Sequence, residues 1–485
     1  QQEAIWREIV HGSGHVVIEA LAGTGKTTTL VEAARRLPRT TRTCICAFNK
    51  AIADELKKRV PLGVRATTMH GAGYAVLMAA GAKMDRDKAA RHIDAATAGI
   101  ADWELRGEVA GAIEELVPVA KSFLVDAADT QAVAEIADRQ EVAACSARAW
   151  AIVLATLPAI MDAMRDDALT FDFPDMVWLP LVRGMALPAY DVTMIDEAQD
   201  LDAAQHAFAL RMVGANRAVV CGDSRQAMYF FRGAVTGSVG ELASKLAATL
   251  PVMTLPLTVS RRCPLAVVDL VSGLVPEFEA MPDAPEGFVG GDWGGEYGPG
   301  DMAVCRVNAP LLAEAIHAVR RGIPAVILGR AVAKTLSKIV DAIPAKSVAD
   351  LVTRVERRID AAKERLADRP DRRERRRLTA RIDLHECLLT LARLGSDISG
   401  VRSAIASLFA DAERVQPDRV VRFSTVHKAK GLEADRVIVV MPGLIPHPMS
   451  KSPEEADQEK NIAYVAATRA RRELHFDGKI PTIYE

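Results

Sequence analysis

The segment with the clearest chemical signal lies near the start of the chain and reads Ala20-Leu-Ala-Gly-Thr-Gly-Lys-Thr27. It follows a short apolar run and opens a helical pattern. Its glycines allow backbone N–H groups to curl around phosphate oxygens beside the positive end of a helix. Lys26 can then reach the β and γ phosphates, and the Thr27 hydroxyl can bind Mg²⁺. We predict nucleotide contacts along one stretch: Ala22, Gly23, Thr24, Gly25, Lys26, Thr27 and Thr28.

A second segment, Tyr190-Asp-Val-Thr-Met-Ile-Asp196-Glu197, reads as an apolar strand that ends in two carboxylates. Asp196 would hold Mg²⁺, and Glu197 would take a proton from an attacking water molecule. On its own, an Asp-Glu pair after a strand is more often a helix N-cap. Together with the phosphate-loop pattern, the pair favours hydrolysis of a nucleoside triphosphate.

The hydrophobic pattern around these motifs predicts parallel β-sheets. Apolar runs at 15–20 and 43–48 alternate with helical segments, as in βαβ units. An Ala-rich helical pattern then interrupts the strand-like runs, and the second half of the chain repeats this plan. We predict an α/β protein with two parallel-sheet P-loop domains, each with a helical insertion. The expected ranges are 1–70 plus 188–255, with insertion 71–187, and 256–330 plus 416–485, with insertion 331–415.

Composition excludes several classes of protein. Of 485 residues, 49% are hydrophobic and 26% charged, which is typical of globular domains and not of disordered chains. A net charge of −2 argues against a uniformly basic nucleic-acid-binding surface but allows a local groove. We expect no membrane partner, because no leader and no apolar stretch of about 18 residues is apparent. Seven scattered cysteines indicate a reduced, cytoplasmic protein without a metal cluster.

The segment 354–381 is locally basic, with twelve Lys and Arg against six Asp and Glu. Two interpretations carry equal weight. One is a solvated helical hairpin that turns at Pro370. The other is a basic face that contacts the backbone of duplex DNA, since phosphate contacts require only positioned positive charge.

Several ordered motifs resemble those of superfamily 1A DNA helicases of the UvrD/Rep/PcrA type. They are Asp196-Glu-Ala-Gln-Asp200, Gly222-Asp-Ser-Arg-Gln-Ala-Met-Tyr-Phe-Phe-Arg-Gly-Ala234, Thr425-Val-His-Lys-Ala-Lys-Gly-Leu-Glu433 and Tyr464-Val-Ala-Ala-Thr-Arg-Ala470. Two further segments, AFNKAIA at 47–53 and Thr68-Met-His70, are most similar to the F-box DNA helicase branch. The resemblance spans residues 1 to about 475 and implies two RecA-like domains (1A and 2A) with insertions 1B and 2B.

The resemblance also implies roles around ATP. Gln1 matches the glutamine that reads adenine, and Gln226 the glutamine that senses the γ-phosphate. Arg262 and Arg469 resemble two arginine fingers, whose guanidinium groups stabilise the transition-state charge. Two further positions, Gly431 and Glu433, match nucleotide contacts from the second domain. Arg261 stands where relatives carry a tyrosine that stacks on adenine, and a guanidinium can also stack on a base.

Single-stranded DNA is held by aromatic stacking and by basic or polar contacts to the backbone. The resemblance places four groups of residues on such a strand. The DNA contacts it implies are Phe48, Asn49, Lys50, Thr68, His70, Tyr229, Phe231, Arg232 and His427. For Phe230, packing in the core is the favoured interpretation. The segment 171–176 and Trp178 match another DNA-side motif more loosely.

The resulting hypothesis is an ATP- and Mg²⁺-dependent translocase on single-stranded DNA that unwinds duplexes at single-strand/duplex junctions, with 3′-to-5′ polarity implied by the resemblance. Recombination or repair proteins are candidate partners, and the nucleoid, or the nucleus in a eukaryote, is the expected location. Three alternatives remain open. They are a translocase that mainly strips proteins such as recombinase filaments from DNA, an RNA-directed motor, and a P-loop ATPase switch.

Overall fold

The computed structural model describes residues 1–140, 142, 145–227, 238–368, 372–410, 415–448, 450 and 453–484. The chain divides into two compact units, Gln1–Thr258 and Val259–Glu485. Each unit contains one large parallel β-sheet with flanking helices. The predicted α/β class, with two parallel-sheet domains, is confirmed. The finer division into 1A, 1B, 2A and 2B stays a prediction.

The sheet of the first unit has six parallel strands in the order β3-β2-β6-β7-β1-β8. The strands are β1 (His15–Ala20), β2 (Thr43–Ala47), β3 (Arg65–Thr68), β6 (Val192–Ile195), β7 (Arg217–Gly222) and β8 (Val252–Leu257). The central strands β1, β2, β6 and β7 are almost continuously buried, as expected for a parallel sheet covered on both faces. A separate pair, β4 (Lys83–Met84) and β5 (Thr170–Phe171), lies among the inserted helices.

The helices of the first unit fall into two groups. Those that flank the sheet are α1 (Gln2–His11), α2 (Lys26–Arg36), α3 (Lys50–Arg59), α10 (Ala203–Val213) and α11 (Ser238–Leu246). Those between β3 and β6 are α4 (Met69–Ala79), α5 (Lys88–Thr97), α6 (Trp103–Phe123), α7 (Thr130–Arg139), α8 (Ala147–Asp166) and α9 (Asp175–Val182). Asp102, Asp129 and Ser146 cap the starts of α6, α7 and α8 with their side-chain oxygens. The inserted helices share one hydrophobic core.

Helix α8 departs from an expectation of the sequence analysis. By length and composition it is, within the described ranges, the one helix that could cross a membrane. The expectation that no stretch is long and apolar enough is therefore wrong. Its side chains Val153, Leu157, Ile160 and Met164 are buried in the core of the inserted helices.

The sheet of the second unit has seven parallel strands in the order β11-β17-β16-β12-β15-β13-β14. They are β11 (Phe288–Gly290), β12 (Met302–Cys305), β13 (Ala325–Leu328), β14 (Phe409–Ala410), β15 (Val421–Thr425), β16 (Ala434–Val439) and β17 (Ala470–Phe476). A short pair, β9 (Val259–Ser260) and β10 (Glu279–Ala280), stands apart. Strand β11 lies inside the Gly-rich segment 284–301 and pairs with β17 at the sheet edge.

The helices of the second unit are α12 (Leu265–Ser272), α13 (Asn308–Arg320), α14 (Arg330–Asp341), α15 (Val348–Ala367), α16 (Arg372–Ala392), α17 (Ile398–Leu408), α18 (Val426–Ala429) and α19 (Pro453–Ala467). Helices α15 and α16 pack against each other through buried residues such as Val355 and Leu388. They carry most of the basic segment 354–381, and Pro370, its predicted turn, lies outside the described residues. Both interpretations of that segment stay predictions.

Candidate nucleotide and DNA site

The carboxyl edge of the first sheet carries most of the predicted site residues. The strands run parallel, so their carboxyl ends meet at one edge, where α/β sheets bind ligands. Along the order β3-β2-β6-β7-β1 lie Thr68 and His70, then Phe48 and Asn49, then the 196–197 carboxylates, then the 223–226 turn, and last the phosphate loop. The DNA contacts predicted at 48–50, 68 and 70 thus lie toward the β3 end of this edge, and the phosphate loop lies toward its other end.

The phosphate loop joins β1 to α2 with the backbone that its glycines allow. Gly23 and Gly25 have φ of 71° and 86°, in the left-handed region that glycine adopts without strain. Thr24 and Ala22 are buried, and the Thr24 hydroxyl donates to Leu21 O at 2.9 Å. The Thr28 hydroxyl accepts a hydrogen bond from Arg59 at 3.1 Å. The geometry is that of a strand, a tight turn and a helix N-terminus, which suits a bound phosphate group.

Lys26 begins α2 and is surrounded by carboxylates. Its Nζ donates to Leu21 O at 3.3 Å and lies 3.7 Å from Asp223 Oδ2. Burial alone lowers the pKa of Lys26, but the charges of Glu197, Asp223 and Asp196 outweigh burial and raise the pKa above its ordinary value. The lysine therefore stays protonated, and its charge is available to a phosphate group.

The donor set for a divalent cation is formed by Thr27 and Asp196. The Thr27 hydroxyl donates to Asp196 Oδ2 at 2.6 Å, although the two residues come from different motifs. Burial raises the pKa of Asp196 to about 6, the charge of Glu197 adds to this effect, and the Thr27 hydrogen bond opposes it. A hydroxyl and a buried carboxylate within contact are hard oxygen ligands, and they fit Mg²⁺.

Glu197 is held in an unusual backbone conformation. Its φ of 53° and ψ of 43° lie in the left-handed region, which costs energy for a residue with a Cβ atom. Such conformations cluster at functional sites, where the surrounding structure enforces them. The side chain is half-buried and accepts a hydrogen bond from Gln199, a residue that the sequence analysis did not single out. The quoted DEAQD motif contained Gln199, but its partners depend on the fold.

Gln226 lies in a short 3₁₀ turn directly after β7. It is buried, and its side-chain amide donates to Asp223 Oδ2. Asp223 in turn faces Lys26, so the predicted γ-phosphate sensor is one residue removed from the phosphate loop. Four residues discussed for DNA contact follow this turn, but they lie outside the described residues: Tyr229, Phe230, Phe231 and Arg232. Their roles stay predictions.

Gln1 is fixed at the end of β8, the strand next to β1. Its Oε1 accepts from Thr258 N at 2.9 Å, and its Nε2 donates to Thr258 Oγ1 at 2.7 Å. The residue is therefore anchored at the ATP end of the sheet edge.

Two of the predicted DNA contacts also cap helices. The Asn49 side chain accepts from Ile52 N at 2.9 Å at the start of α3, and Thr68 Oγ1 accepts from Gly71 N at 2.9 Å at the start of α4. Phe48 and Lys50 beside them are exposed, with 40% of Phe48 accessible to solvent. The caps fix the backbone, and Phe48 and Lys50 remain accessible to a DNA strand.

Phe173 forms a stacked pair with His70. Their ring centroids are 4.4 Å apart with an interplanar angle of 16°, and 57% of the Phe173 side chain is exposed. Burial lowers the pKa of His70 to about 4, so this imidazole is neutral at physiological pH. The aromatic residues of the loosely matched motif, segment 171–176 and Trp178, therefore have two different environments. Phe171 and Trp178 are core residues, and Phe173 presents an aromatic face.

A buried charge network holds the turn that carries Phe173. Lys88 Nζ donates to Asp175 Oδ2 at 2.8 Å, and Lys121 Nζ lies 2.7 Å from Asp175 Oδ1 and 3.2 Å from Asp172. Asp172 and Asp175 also accept from each other's backbone N–H groups. Because all four side chains are buried, loss of one would leave an uncompensated charge. The network therefore fixes the position of the Phe173 turn.

Two predicted residues of the second unit, Arg262 and Arg469, contact Thr468. Arg262 pairs with Glu433 at 2.6 Å and donates to Thr468 O at 3.3 Å. Arg469 is buried and donates to Val465 O at 2.9 Å and to Leu432 O at 3.3 Å. Gly431 lies in the segment just before β16 and has a φ of 80°. Arg261 is exposed, and His427 is half-buried in α18, after the carboxyl end of β15.

The fold and the phosphate site define a P-loop protein, and the family models define its family. The description "UvrD/REP helicase N-terminal domain" matches residues 1–246, and "UvrD-like helicase C-terminal domain" matches residues 398–477. The chain belongs to the UvrD/Rep family of superfamily 1 helicases, which confirms the resemblance.

Two relatives show where the similarity is concentrated. F-box DNA helicase protein 1 of Schizosaccharomyces pombe is 26% identical over 243 residues, which is 45% of this chain and 26% of that protein. The ATP-dependent DNA helicase UvrD1 of Mycobacterium tuberculosis is 41% identical over 80 residues, which is 15% of this chain and 10% of that protein. The matches thus span about a quarter and about a tenth of the length of these two relatives.

Proposed function

We propose that this protein is an ATP- and Mg²⁺-dependent motor that moves along single-stranded DNA and unwinds duplex DNA. The observation that carries the proposal is the shared carboxyl edge of the first sheet, where the phosphate loop and the exposed aromatic residues lie along one line of strands. Membership of the UvrD/Rep family supports DNA as the track. We therefore propose that the protein is located where the DNA is, in the nucleoid or, in a eukaryote, in the nucleus.

ATP hydrolysis is assigned to the ATP end of this edge. The glycine turn and Lys26 bind the phosphates, and Thr27 and Asp196 would hold Mg²⁺, which when bound neutralises phosphate charge. Glu197 accepts the proton of the attacking water. The family resemblance adds Gln226 as sensor, and Arg262 and Arg469 as fingers that stabilise the transition state.

DNA is assigned to the other end of the edge. Phe48 and the stacked pair of His70 and Phe173 offer aromatic faces on which bases can stack, at about 1–3 kcal/mol per base. Lys50 adds positive charge for the backbone. Changes at the 196–197 carboxylates during ATP turnover can reach these residues through neighbouring strands, which couples hydrolysis to strand movement.

The polarity is proposed as 3′ to 5′ from the family resemblance. The test is strand separation on duplexes with either a 3′ or a 5′ single-stranded tail, in the presence of ATP and Mg²⁺, with Lys26→Ala as the inactive control. We expect unwinding of the 3′-tailed duplex only. Preference for the 5′ tail would overturn the polarity, and ATP-driven release of DNA-bound protein without unwinding of either duplex would favour the protein-stripping alternative.

A further inference from the structure

Gln199 connects two motifs of the first unit through both ends of its side chain. The residue is 1% exposed and lies in the 3₁₀ turn Ala198–Asp200. Its Nε2 donates to Glu197 Oε2 at 2.5 Å, and its Oε1 accepts from Asp223 N at 2.9 Å. A backbone N–H can only donate, so the oxygen of the amide must face Asp223 and the nitrogen must face the Glu197 carboxylate.

The contact requires close approach of the two segments. A Cβ atom placed on Gly222 would lie 2.9 Å from Gln199 Oε1 and 2.6 Å from Val239 Cγ2. Glycine at the end of β7 therefore gives Gln199 the space to reach the Asp223 backbone. On the other side, the strained left-handed backbone of Glu197 turns its carboxylate toward the same amide.

Beyond Asp223 the hydrogen bonds continue into the phosphate machinery. Asp223 is fully buried, accepts from Gln226 Nε2, and lies 3.7 Å from Lys26 Nζ. An unbroken series of polar contacts thus runs from Glu197 through Gln199 and Asp223 to Gln226. The segment after Gln226 contains the aromatic residues for which the family resemblance implies DNA contacts.

We propose that Gln199 is a positioning residue that holds the Glu197 carboxylate and links it to the Asp223–Gln226 turn, so that DNA binding accelerates ATP hydrolysis through this amide. The inference rests on the proposed ATPase and DNA-binding function. A shift of the turn moves Asp223 N, Gln199 follows it, and the carboxylate of Glu197 is reoriented. Gln199 does not touch ATP in this scheme; it acts through Glu197.

Two substitutions separate the two ends of the side chain. Gln199→Met has similar length and removes the hydrogen bonds to Glu197 and Asp223 N, together with a longer one of 3.4 Å to Asp200 Oδ2. Gln199→Glu keeps an acceptor for Asp223 N but places a second carboxylate against Glu197, which disfavours ionisation of both groups. Gln131→Met is the matched control, because Gln131 is an exposed glutamine whose Nε2 also donates to a glutamate, Glu135, at 2.9 Å.

The experiment measures ATP turnover with and without a long single-stranded DNA, together with the affinities for ATP and DNA and the melting temperature. We expect Gln199→Met to lower the DNA-stimulated kcat by about 10- to 100-fold. The ratio of stimulated to basal turnover should fall close to one, while both affinities change by less than about twofold, since the residue positions a base and binds neither ligand. Gln131→Met should match the wild-type protein.

The Glu variant adds a readout that packing alone would not move. Gln199→Glu keeps the acceptor for Asp223 N and loses the amide donor to Glu197, so its DNA-stimulated kcat should fall while the KM for ATP changes by less than about twofold. A preserved stimulation ratio in Gln199→Met would overturn the proposal. If that variant does not fold, the near-isosteric Glu variant decides, and a DNA-stimulated kcat equal to that of the wild-type protein overturns the proposal. Absence of DNA-stimulated turnover in the wild-type protein would instead contradict the proposed function itself.

Discussion

Thr27 and Asp196 are 169 positions apart in the sequence, yet the hydroxyl of the first donates to the carboxylate of the second at 2.6 Å. The contact brings the end of β1 to the end of β6, across the intervening strand β7. It unites a hydroxyl and a carboxylate that the sequence assigns to the same cation. Formation of this pair is the structural basis for assigning Mg²⁺-dependent ATP hydrolysis to the first unit.

The proton acceptor is tested by Glu197→Gln. The amide cannot accept the proton of the attacking water, so turnover should fall by about 10²- to 10⁴-fold. ATP affinity should be retained, because the phosphate contacts come from the glycine turn and Lys26. Single-turnover hydrolysis and equilibrium nucleotide binding measure the two quantities, and hydrolysis near the wild-type rate would remove Glu197 from this role.

The raised pKa of Asp196 predicts that the pH dependence of activity changes with the Mg²⁺ concentration. Its pKa of about 6 means that it gains a proton as the pH falls through 6, and a protonated carboxyl is a poor cation ligand. Activity should therefore decline below about pH 6. Because Mg²⁺ competes with the proton, the acid limb should move to lower pH as the Mg²⁺ concentration rises. Rate profiles at several Mg²⁺ concentrations check this, and a limb that does not move would contradict the assignment.

The finger role is tested by Arg469→Ala. Loss of the guanidinium should lower kcat by roughly 10³-fold or more while ATP affinity changes much less, since the charge acts in the transition state. Arg402→Ala is the control, because Arg402 is an exposed arginine of the same unit that pairs with Asp341 at 2.7 Å. An unchanged kcat would exclude the role, and a variant with lowered thermal stability would show that the contacts to Val465 and Leu432 serve folding.

The aromatic pair is tested by Phe173→Ala. Loss of one stacking face should weaken single-stranded DNA binding by about 1–3 kcal/mol and leave DNA-independent ATP turnover unaltered. Trp103→Ala is the matched control, since Trp103 is 78% exposed on the same group of inserted helices. Fluorescence anisotropy with a labelled oligonucleotide measures the affinity. Equal losses in both variants would argue against a specific stacking site at Phe173.

Local patterns in the sequence were enough to predict the phosphate loop, the carboxylates after β6 and the parallel class of the sheets. Each of these depends on neighbours along the chain or on alternation of apolar and helical segments. The stacking of His70 on Phe173 could not be predicted in this way, because it joins two segments separated by most of the inserted helices. The same holds for the charge network of Lys88, Lys121, Asp172 and Asp175. In the sequence, each of these residues taken alone has the pattern of a solvent-exposed charge.

Gln199 illustrates the same limit inside a recognised motif. Its residue type and its place in DEAQD were visible, but its partner Asp223 N belongs to another strand end. Helix α8 shows the reverse case. Its composition alone fits either a membrane-spanning helix or a core helix, and the packing of Val153 and Leu157 places it in the core of the inserted helices.

The most direct test of the central claim is steady-state ATP hydrolysis by the wild-type chain with Mg²⁺, measured with and without a long single-stranded DNA and beside Lys26→Ala. The account predicts hydrolysis that DNA stimulates by about tenfold or more, consistent with a nucleic-acid-coupled phosphoryl transfer, and no turnover in the variant. Robust hydrolysis that does not respond to single-stranded DNA would contradict it.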